Sequence, residues 1–364
     1  MGFWLCSLEK LVMLPRPEFW QGKKVLLTGH TGFKGSWLAL WLHELGAQIT
    51  GIALAPESKP NLFSEANIEQ LIDHRVCDIR ELAALNEFIG SSKPEIVIHL
   101  AAQALVRKSY SEPVETFATN IMGSANVLEA IRHCPGIKVA VMVTTDKVYE
   151  INGSGKPFME TDRLGGHDPY SASKAASELV ISSYHDSFLA DIGVAVASAR
   201  AGNVIGGGDW SEDRLIPDAI KSWQKGQPLE IRMPGAVRPW QHVLDALCGY
   251  LILAEQLWSD AGKSAAYNFG PDDDNNATVK DVIERARTGY YRGNVHYRNA
   301  TGNMHETELL TLDTSKAKQV LNFTNRYALD DAVQATFHWY RQHDEGRLAR
   351  DLCQQDIEEY QQTP

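Results

Sequence analysis

The chain has 364 residues, a length that predicts two cores or one large α/β core with an added lobe. Its composition, 44% hydrophobic and 22% charged, is that of an ordinary globular protein, and no uncharged apolar segment reaches the roughly 20 residues that a membrane-spanning helix needs. A formal net charge of −11 argues against binding to nucleic acid, which depends on many lysine and arginine contacts to phosphate. We therefore expect a soluble, cytoplasmic protein whose partners include neither nucleic acid nor a membrane.

The five cysteines are too scattered to indicate a zinc site or a disulfide framework, since no two of them form a C-x-x-C pair. They are Cys6, Cys77, Cys134, Cys248 and Cys353. We predict no metal centre, and a reducing compartment fits this pattern best.

The two ends of the chain differ from the part between them. In residues 1–20 an apolar run is interrupted by Glu9 and Lys10 and no secretory cleavage site follows, so we expect a leader outside the core. After Glu345 the sequence becomes acidic, which predicts a solvated helix and a tail, 351–364, without a role in the site.

From Gln21 onward, short runs rich in valine and isoleucine alternate with segments of helical period, as in βαβ units with a parallel sheet. The predicted strands are 24–28, 48–54, 96–100, 139–144 and 194–199. The predicted fold class is therefore α/β with a doubly wound parallel sheet.

The composition of the sequence changes after Arg200: glycine and proline become frequent, and the predicted helices become shorter. This indicates a second, smaller α/β lobe that binds the substrate. We expect the sheet domain to cover 21–202 with a returning segment near 239–262, and the lobe to consist of 203–238 and 263–350.

A glycine-rich loop follows the first predicted strand. The sequence reads Gly29-His-Thr-Gly32-Phe-Lys-Gly35 and then continues into a helical pattern over 36–45. Such a strand, turn and helix let the backbone approach a pyrophosphate, whose charge is held by free N–H groups and the helix dipole. The spacing T-G-x-x-G-x-x-G resembles the short-chain dehydrogenase/reductase superfamily, which implies that the cofactor contacts of this loop are Gly29, Thr31, Gly32, Phe33 and Gly35.

The end of the second strand should carry an acidic residue that holds the adenosine ribose. The nearest carboxylate there is Glu57, three residues beyond 48–54. The chemistry of the sequence therefore leaves the choice between NAD and NADP open.

Of the twelve tyrosines, only Tyr170 is followed by a lysine, Lys174, four positions later. On a helix this spacing puts both side chains on one face. A tyrosine, with a usual pKa of about 10, acts as a base near neutral pH only if nearby positive charges stabilise its phenolate. Lys174 and a positive nicotinamide ring would supply such charges, so the pair predicts hydride-transfer chemistry.

The chain from about 19 to 340 resembles the sugar-nucleotide dehydratases and epimerases of this superfamily, and most closely the CDP-glucose 4,6-dehydratases. Besides the glycine loop, the matching segments include 19–24 (FWQGKK), 109–116 (SYSEPVET), 129–133 (EAIRH), 200–210 (RAGNVIGGGDW), 238–243 (RPWQHV) and 268–271 (NFGP). The resemblance implies a Rossmann-like fold, NAD as the cofactor, a nucleotide sugar as the substrate, and a homodimer or homotetramer.

The resemblance also implies which further residues bind the two ligands. The expected cofactor contacts follow the strands or lie on the catalytic helix: Asp78, Ile79, Leu100, Ala101, Ala102, Asn120, Thr144, Tyr170 and Lys174. The expected contacts to the diphosphate or hexose are Gln103, Arg107, Asn203, Arg214 and Arg238.

The tripeptide Thr145-Asp146-Lys147 distinguishes a dehydratase from an epimerase. Loss of water needs a proton for the hydroxyl that leaves carbon 6, and Asp146 is the predicted donor, provided that burial or a neighbouring charge raises its pKa. This chain also resembles the dTDP-glucose dehydratases, and these have a glutamate at the position of Lys147. The resemblance implies that this glutamate transfers the proton of carbon 5. The predicted catalytic residues are therefore Thr145, Asp146, Lys147, Tyr170 and Lys174.

The predicted activity is dehydration of CDP-D-glucose to CDP-4-dehydro-6-deoxy-D-glucose, with oxidation at carbon 4, elimination across carbons 5 and 6, and return of hydride to carbon 6. This would serve deoxysugar biosynthesis of the O-antigen or lipopolysaccharide type. The alternatives are a dehydratase for dTDP-glucose or another nucleotide-glucose, and an NAD-dependent nucleotide-sugar 4-epimerase. A non-catalytic cofactor-binding protein is disfavoured, because both Tyr170 and Lys174 are present.

Overall fold

The computed structural model describes residues 13–151, 153, 155–271, 277–290, 293–297 and 310–363. The strands are β1 (Lys24–Thr28), β2 (Gln48–Ala53), β3 (Asp73–Val76), β4 (Ile96–His99), β5 (Val139–Val143), β6 (Ala195–Ala201), β7 (Asn203–Ile205), β8 (Leu229–Ile231), β9 (Val237–Arg238), β10 (Trp240–His242), β11 (Ala266–Phe269), β12 (Ala277–Thr278) and β13 (Val295–Tyr297). The helices are α1 (Pro17–Trp20), α2 (Phe33–Glu44), α3 (Leu62–Glu65), α4 (Leu82–Ser92), α5 (Val106–Ser111), α6 (Pro113–Phe117), α7 (Gly123–Arg132), α8 (Pro169–Tyr184), α9 (Leu215–Gln224), α10 (Val243–Ser259), α11 (Val279–Tyr290), α12 (Leu329–Asp344) and α13 (Ala349–Gln362).

Seven strands form one parallel sheet in the order β3-β2-β1-β4-β5-β6-β11. The order reverses between β1 and β4, so the carboxyl ends of these two strands border the crevice where α/β sheets bind their ligands. The predicted doubly wound parallel sheet is confirmed.

Alternation along the central strands explains why helices cover both faces of the sheet. In β1, Val25 and Leu27 pack into the core formed with α2 and α10, whereas Leu26 packs into a separate core formed with α4, α7 and α8. Because successive side chains of a strand point to opposite faces, a strand that is apolar throughout must be covered twice.

The smaller lobe is built from short strand pairs around α9, α11 and α12. β7 pairs with β10 in parallel, β9 with β12 in antiparallel, and β8 with β13 in parallel. The segment between the lobe's two parts contains α10, which packs against β5, β6 and α2.

The expectation of a leader outside the core is wrong for residues 13–20, while 1–12 lie outside the described residues. Trp20 is fully buried, and its indole nitrogen donates a hydrogen bond of 2.9 Å to Glu255 Oε1. Arg16 forms an ion pair of 2.6 Å with the same carboxylate. This segment therefore closes the core around a carboxylate on α10 that would otherwise be buried without a partner.

Two expectations for the later part of the chain are also corrected. Ala266–Phe269, assigned to the small lobe, is the seventh strand of the main sheet, pairing with β6. The tail is helical, as predicted, but one face of α13 is buried through Leu352, Ile357 and Tyr360, so it packs on the protein rather than standing in solvent. None of the helices in the described part of the chain is long and apolar enough to cross a membrane.

Candidate active site

The glycine loop at the end of β1 fits the phosphates of a dinucleotide. Gly29 has a φ of 75°, and a Cβ there would lie 2.6 Å from the backbone nitrogen of Ala101. A Cβ on Gly35 would lie 2.2 Å from the carbonyl oxygen of Gly29. Gly32 begins α2 without a side-chain cap, so the first-turn amides are not occupied by a capping side chain and can bind an anion.

The other two predicted residues of this loop have structural contacts. The Thr31 hydroxyl donates a hydrogen bond of 2.9 Å to the carbonyl of Leu54, which ties the loop to the end of β2. Phe33 lies against Gly206, where a Cβ would come within 3.1 Å of the ring.

A second loop, Leu100, Ala101 and Ala102, continues β4 beside the glycine loop. The Thr28 hydroxyl accepts hydrogen bonds of 3.2 Å from the amides of Leu100 and Ala101, so the end of β1 fixes the start of this loop. The two loops therefore form one rigid edge of the site.

The buried side chain of Asn120 links the loop after β4 to α8, the helix that carries Tyr170 and Lys174. Its Oδ1 accepts from the amide of Gln103 at 2.8 Å, and its Nδ2 donates to Ser173 Oγ at 2.8 Å and to the Gln103 carbonyl at 3.0 Å. The Gln103 side chain also bonds inside the protein, to Leu105 and Thr116. Its predicted contact with the diphosphate or hexose stays a prediction.

Asp78 and Ile79 lie where β3 has ended, beside α7. The Asp78 carboxylate bonds to Arg80 at 2.5 Å, and this arginine holds the pKa of Asp78 below its usual range. Ile79 packs against Gly123, where a Cβ would lie 2.5 Å from Cδ1. Their predicted contacts with the adenine part of the cofactor remain predictions.

Tyr170 and Lys174 are buried on one face of α8, as the spacing predicts. Asp168 caps this helix by accepting from the Ser171 amide at 2.9 Å. Lys174 Nζ donates to the carbonyl of Val143 at 3.3 Å, and burial lowers its pKa to about 8, against the opposing charge of Glu178.

Within the protein alone, burial raises the pKa of Tyr170 to about 12, away from the value that a base needs. A hydrogen bond with Thr145 and the charge of Arg214 act in the lowering direction. Thr145 and Arg214 are therefore groups of this chain that favour the phenolate, and the predicted contribution of Lys174 stays a prediction.

Thr145 and Asp146 follow β5 and are buried next to Tyr170. Thr145 Oγ1 donates to Asp146 Oδ1 at 3.0 Å, while Oδ2 has no hydrogen-bond partner in the described protein. Oδ2 lies beside Gly202, where a Cβ would come within 3.2 Å of it and within 2.7 Å of Pro239 Cγ, so this close packing requires glycine. Burial raises the pKa of Asp146, opposed by the charges of Lys147 and Arg238, so the predicted direction of the shift is found.

The remaining predicted residues differ in how close they come to this carboxyl. Lys147 is half-buried in the single turn Asp146–Val148, and Thr144 donates a hydrogen bond of 2.5 Å to Glu178. Arg238 acts on Asp146 by its charge, and Arg214 acts on Tyr170, while forming an ion pair of 3.5 Å with Asp209.

The last two predicted residues, Arg107 and Asn203, lie on α5 and on β7. Arg107, on α5, is half-exposed and paired with Asp213. Asn203 begins β7 opposite Trp240.

Sequence reasoning missed three residues of the site: Lys34, Glu178 and Tyr250. Lys34 interacts electrostatically with Lys174 and Asp146. Glu178 accepts hydrogen bonds from Thr144 and, at 2.8 Å, from Arg200. Its position four residues after Lys174 was a usable signal, as was the placement of Lys34 inside the glycine motif, whereas Tyr250 lies in an apolar helix that gives none.

A family model, described as the NAD dependent epimerase/dehydratase family, matches residues 25–270. The chain belongs to this family. It is also 42% identical over 330 residues to CDP-glucose 4,6-dehydratase of Salmonella typhimurium, covering 89% of this chain and 92% of the relative. The predicted resemblance is thereby confirmed, and NAD, the predicted cofactor, is the one in the family's description.

Other members of the family are more distant. A dTDP-glucose 4,6-dehydratase of Xanthomonas campestris is 26% identical over 333 residues, covering 86% of this chain and 92% of the relative. The solved structure of a UDP-glucose 4-epimerase from Stenotrophomonas maltophila, with bound NAD and formylated UDP-arabinopyranose, has a TM-score of 0.78 at 20% identity, covering 89% of this chain and all of that chain. At that identity the likeness supports the fold alone.

Proposed function

We propose that the protein is an NAD-dependent dehydratase that converts CDP-D-glucose to CDP-4-dehydro-6-deoxy-D-glucose. The observation that supports this most directly is the buried Asp146 carboxyl beside Tyr170, with one oxygen held by Thr145 and the other without a hydrogen-bond partner in the described protein. A 4-epimerase needs oxidation, rotation of the sugar and reduction, but no acid at carbon 6. A proton donor next to the hydride-transfer pair is what elimination of water requires.

In the first step, the Tyr170 phenolate takes the proton of the hydroxyl on carbon 4. Thr145 and Arg214 favour this phenolate from within the protein. The glycine loop and the Leu100–Ala102 edge would hold NAD, which would supply the hydride acceptor for carbon 4 and the hydride for carbon 6. Lys174 is held in place beside Tyr170 by the hydrogen bond that its Nζ donates to the Val143 carbonyl.

Elimination follows once carbon 4 is a ketone, since the proton on carbon 5 is then acidic. Lys147, half-buried in the turn Asp146–Val148, takes that proton, and Asp146 gives a proton to the hydroxyl that leaves carbon 6 as water. Because burial raises the pKa of Asp146, the acid form needed for this step is favoured. Lys147 returns a proton to carbon 5 when hydride reaches carbon 6, which completes the 4-dehydro-6-deoxy product.

The cationic side chains around the acid suit a substrate with a diphosphate. Arg238 and Arg214 both act electrostatically on the catalytic residues, and guanidinium groups bind phosphate oxygens in a bidentate way. We assign Arg238 and Arg214 to the diphosphate, with Arg107 and Asn203 as outer contacts.

The cytidine base is the finer part of the proposal, and the 42% identity to CDP-glucose 4,6-dehydratase supports it. The test is to incubate the purified protein with NAD and, separately, with CDP-, dTDP-, UDP- and GDP-glucose, following the 4-keto product of each. We expect CDP-glucose to give the highest kcat/KM and no net NADH to accumulate. A 4-epimer formed without a 4-keto product would overturn the dehydratase, and preference for another base would replace only the substrate.

We further propose a cytoplasmic homo-oligomer that supplies a deoxysugar for lipopolysaccharide. Large apolar side chains are exposed on α5, on α6 and on the π-helical segment Ala118–Met122, namely Tyr110 (65% exposed), Val114 (79%) and Met122 (57%). α5 and α6 pack against α8, which exposes Leu179. A second copy is the partner that would cover this face. Light scattering of Val114→Glu should then report a smaller mass than the parental protein.

A further inference from the structure

Lys34 is a cation of the site that the proposed reaction does not use. It is the second residue of α2, within the glycine motif, and its side chain is half-buried. Its Nζ donates a hydrogen bond of 3.4 Å to the Tyr250 hydroxyl and lies 5.7 Å from the centre of that ring. Tyr250, fully buried on α10, interacts electrostatically with Tyr170. The amine therefore lies on the side of the loop where the reacting groups are.

The charges around Lys34 come from several elements and are mostly positive. Arg214 at the start of α9 and Lys174 on α8 both repel its ammonium group, and only Asp146 attracts it. Burial raises the pKa of Asp146, which reduces that attraction by favouring the neutral acid. Among the described residues no carboxylate forms an ion pair with Lys34.

A partly desolvated cation among other cations is unfavourable unless an anion joins it. Burial, then Arg214 and Lys174, lower the pKa of Lys34 to about 7, so near neutral pH the free protein holds this amine only partly charged. An anion bound at this point would restore the full charge.

We propose that Lys34 binds an oxygen of a diphosphate group in the occupied site. The proposal rests on the proposed function, since that function brings two diphosphates to this crevice, one in NAD and one in the nucleotide sugar. Lys34 belongs to the glycine motif and its ammonium group is repelled by Arg214, so the shared chemistry is the diphosphate, and separate titrations identify its source.

The experiment compares the parental protein with Lys34→Met, which keeps most of the length of the side chain and removes the charge, and with Lys34→Arg, which keeps the charge. Lys24→Met, on an exposed lysine at the opposite end of β1, is the matched control. NAD and CDP-glucose are titrated separately by calorimetry at pH 8 in two buffers of different ionisation enthalpy, which gives both the Kd and the protons taken up.

We expect the parental protein to take up protons when the relevant ligand binds, because the diphosphate raises the pKa of Lys34. In Lys34→Met this uptake should disappear and the Kd for that ligand should rise about tenfold or more, while Lys34→Arg keeps most of the affinity and Lys24→Met all of it. An effect on NAD alone assigns the cofactor's diphosphate, and an effect on CDP-glucose alone assigns the substrate's.

Unchanged affinities and unchanged proton uptake in Lys34→Met would overturn the proposal. Equal weakening in Lys34→Met and Lys34→Arg, with a lowered unfolding temperature of both unliganded variants, would overturn it as well. If the parental protein binds NAD but not CDP-glucose, the proposed substrate is wrong, and the NAD titration still decides the role of Lys34.

Discussion

The hydroxyl of Thr145 donates a 3.0 Å hydrogen bond to Asp146 Oδ1, and the same side chain lowers the pKa of Tyr170. One threonine thus acts on both the proposed acid and the proposed base. Asp146 Oδ2 has no partner within the described protein and faces Gly202. Thr145 thus occupies Oδ1 of the carboxyl and leaves Oδ2 without a partner. Oδ2 is therefore the oxygen from which a proton can be donated.

Asp146→Asn should stop the loss of water but allow oxidation at carbon 4, because the amide keeps the bond to Thr145 and cannot donate an acidic proton. We expect kcat for dehydration to fall on the order of a hundredfold or more. Single-turnover absorbance should show NADH forming without the 4-keto-6-deoxy product. Asp191→Asn, an exposed carboxylate far from the turn, is the control and should retain the parental rate.

Lys147 is tested by the exchange of the carbon 5 proton in deuterated water. Lys147→Met should suppress incorporation of deuterium at carbon 5, whereas Asp146→Asn should still permit it. If Lys147→Met exchanges and dehydrates at the parental rate, Lys147 is not the base at carbon 5.

Thr145→Val should shift the pH profile of kcat toward higher pH. The Thr145 hydroxyl lowers the pKa of Tyr170 and of Asp146 by donating its one proton to whichever of the two is the anion, so its loss raises both pKa values and moves both limbs upward. Thr145→Ser keeps the hydroxyl and should keep the parental profile. A Thr145→Val enzyme that loses rate with unmoved limbs would show that the threonine is needed for packing and not for proton transfer.

Much of the fold could be predicted from the sequence because the central strands are buried on both faces and are therefore mostly apolar. β1, β4, β5 and β6 carry that signal, whereas the edge strand β3, with the sequence DHRV, is polar and exposed and was not predicted. The strand β11 was placed in the wrong unit, because a four-residue strand pairs with whichever strand the tertiary fold brings to it.

The site was predicted less evenly. Asp146 was found from its place after a strand, and the direction of its pKa shift followed from burial. Spacing on a helix placed Lys174 beside Tyr170, but it could not show that Thr145 and Arg214, which lower the pKa of Tyr170, come to it from other elements. Contacts between segments far apart in the chain, such as Trp20 with Glu255, have no periodic signal at all.

Arg238→Ala should weaken the nucleotide sugar by a few kcal/mol, roughly the cost of losing charge-assisted bonds to a diphosphate, with little effect on NAD. It should also raise the pKa of Asp146 further, because the guanidinium opposes the protonated form. Calorimetric titration with CDP-glucose and with NAD separates the two ligands. Arg232→Ala, an exposed arginine in the same lobe, is the control; equal weakening of both ligands in Arg238→Ala would indicate a folding defect.

A second buried acid, Asp245, lies on α10 and takes no part in the proposed chemistry. It links α10 to the last helix, α13. Its Oδ1 accepts from the Tyr360 hydroxyl at 2.9 Å and from the Arg326 amide at 2.7 Å, while Oδ2 has no partner in the described protein. Burial raises the pKa of Asp245 to about 7, against the lowering effect of those bonds.

Asp245 should therefore make the protein less stable as the pH rises from about 4 to about 7. The folded state holds a proton that the unfolded chain releases at about 4, so the stabilisation is complete below that pH and is lost as the pH passes through the folded pKa. A shift from 3.8 to about 7 corresponds to at most roughly 4 kcal/mol in the free energy of unfolding. Asp245→Asn cannot titrate, so its urea midpoint should vary less between pH 5 and pH 8 than the parental one, and its stability relative to the parent should rise with pH.

Tyr360→Phe removes a hydrogen bond that lowers the pKa of Asp245 and should move the titration step to higher pH, whereas Asp191→Asn should leave it in place. Identical pH dependence of the urea midpoint in Asp245→Asn and the parental protein would show that Asp245 does not change its protonation state on unfolding in this range.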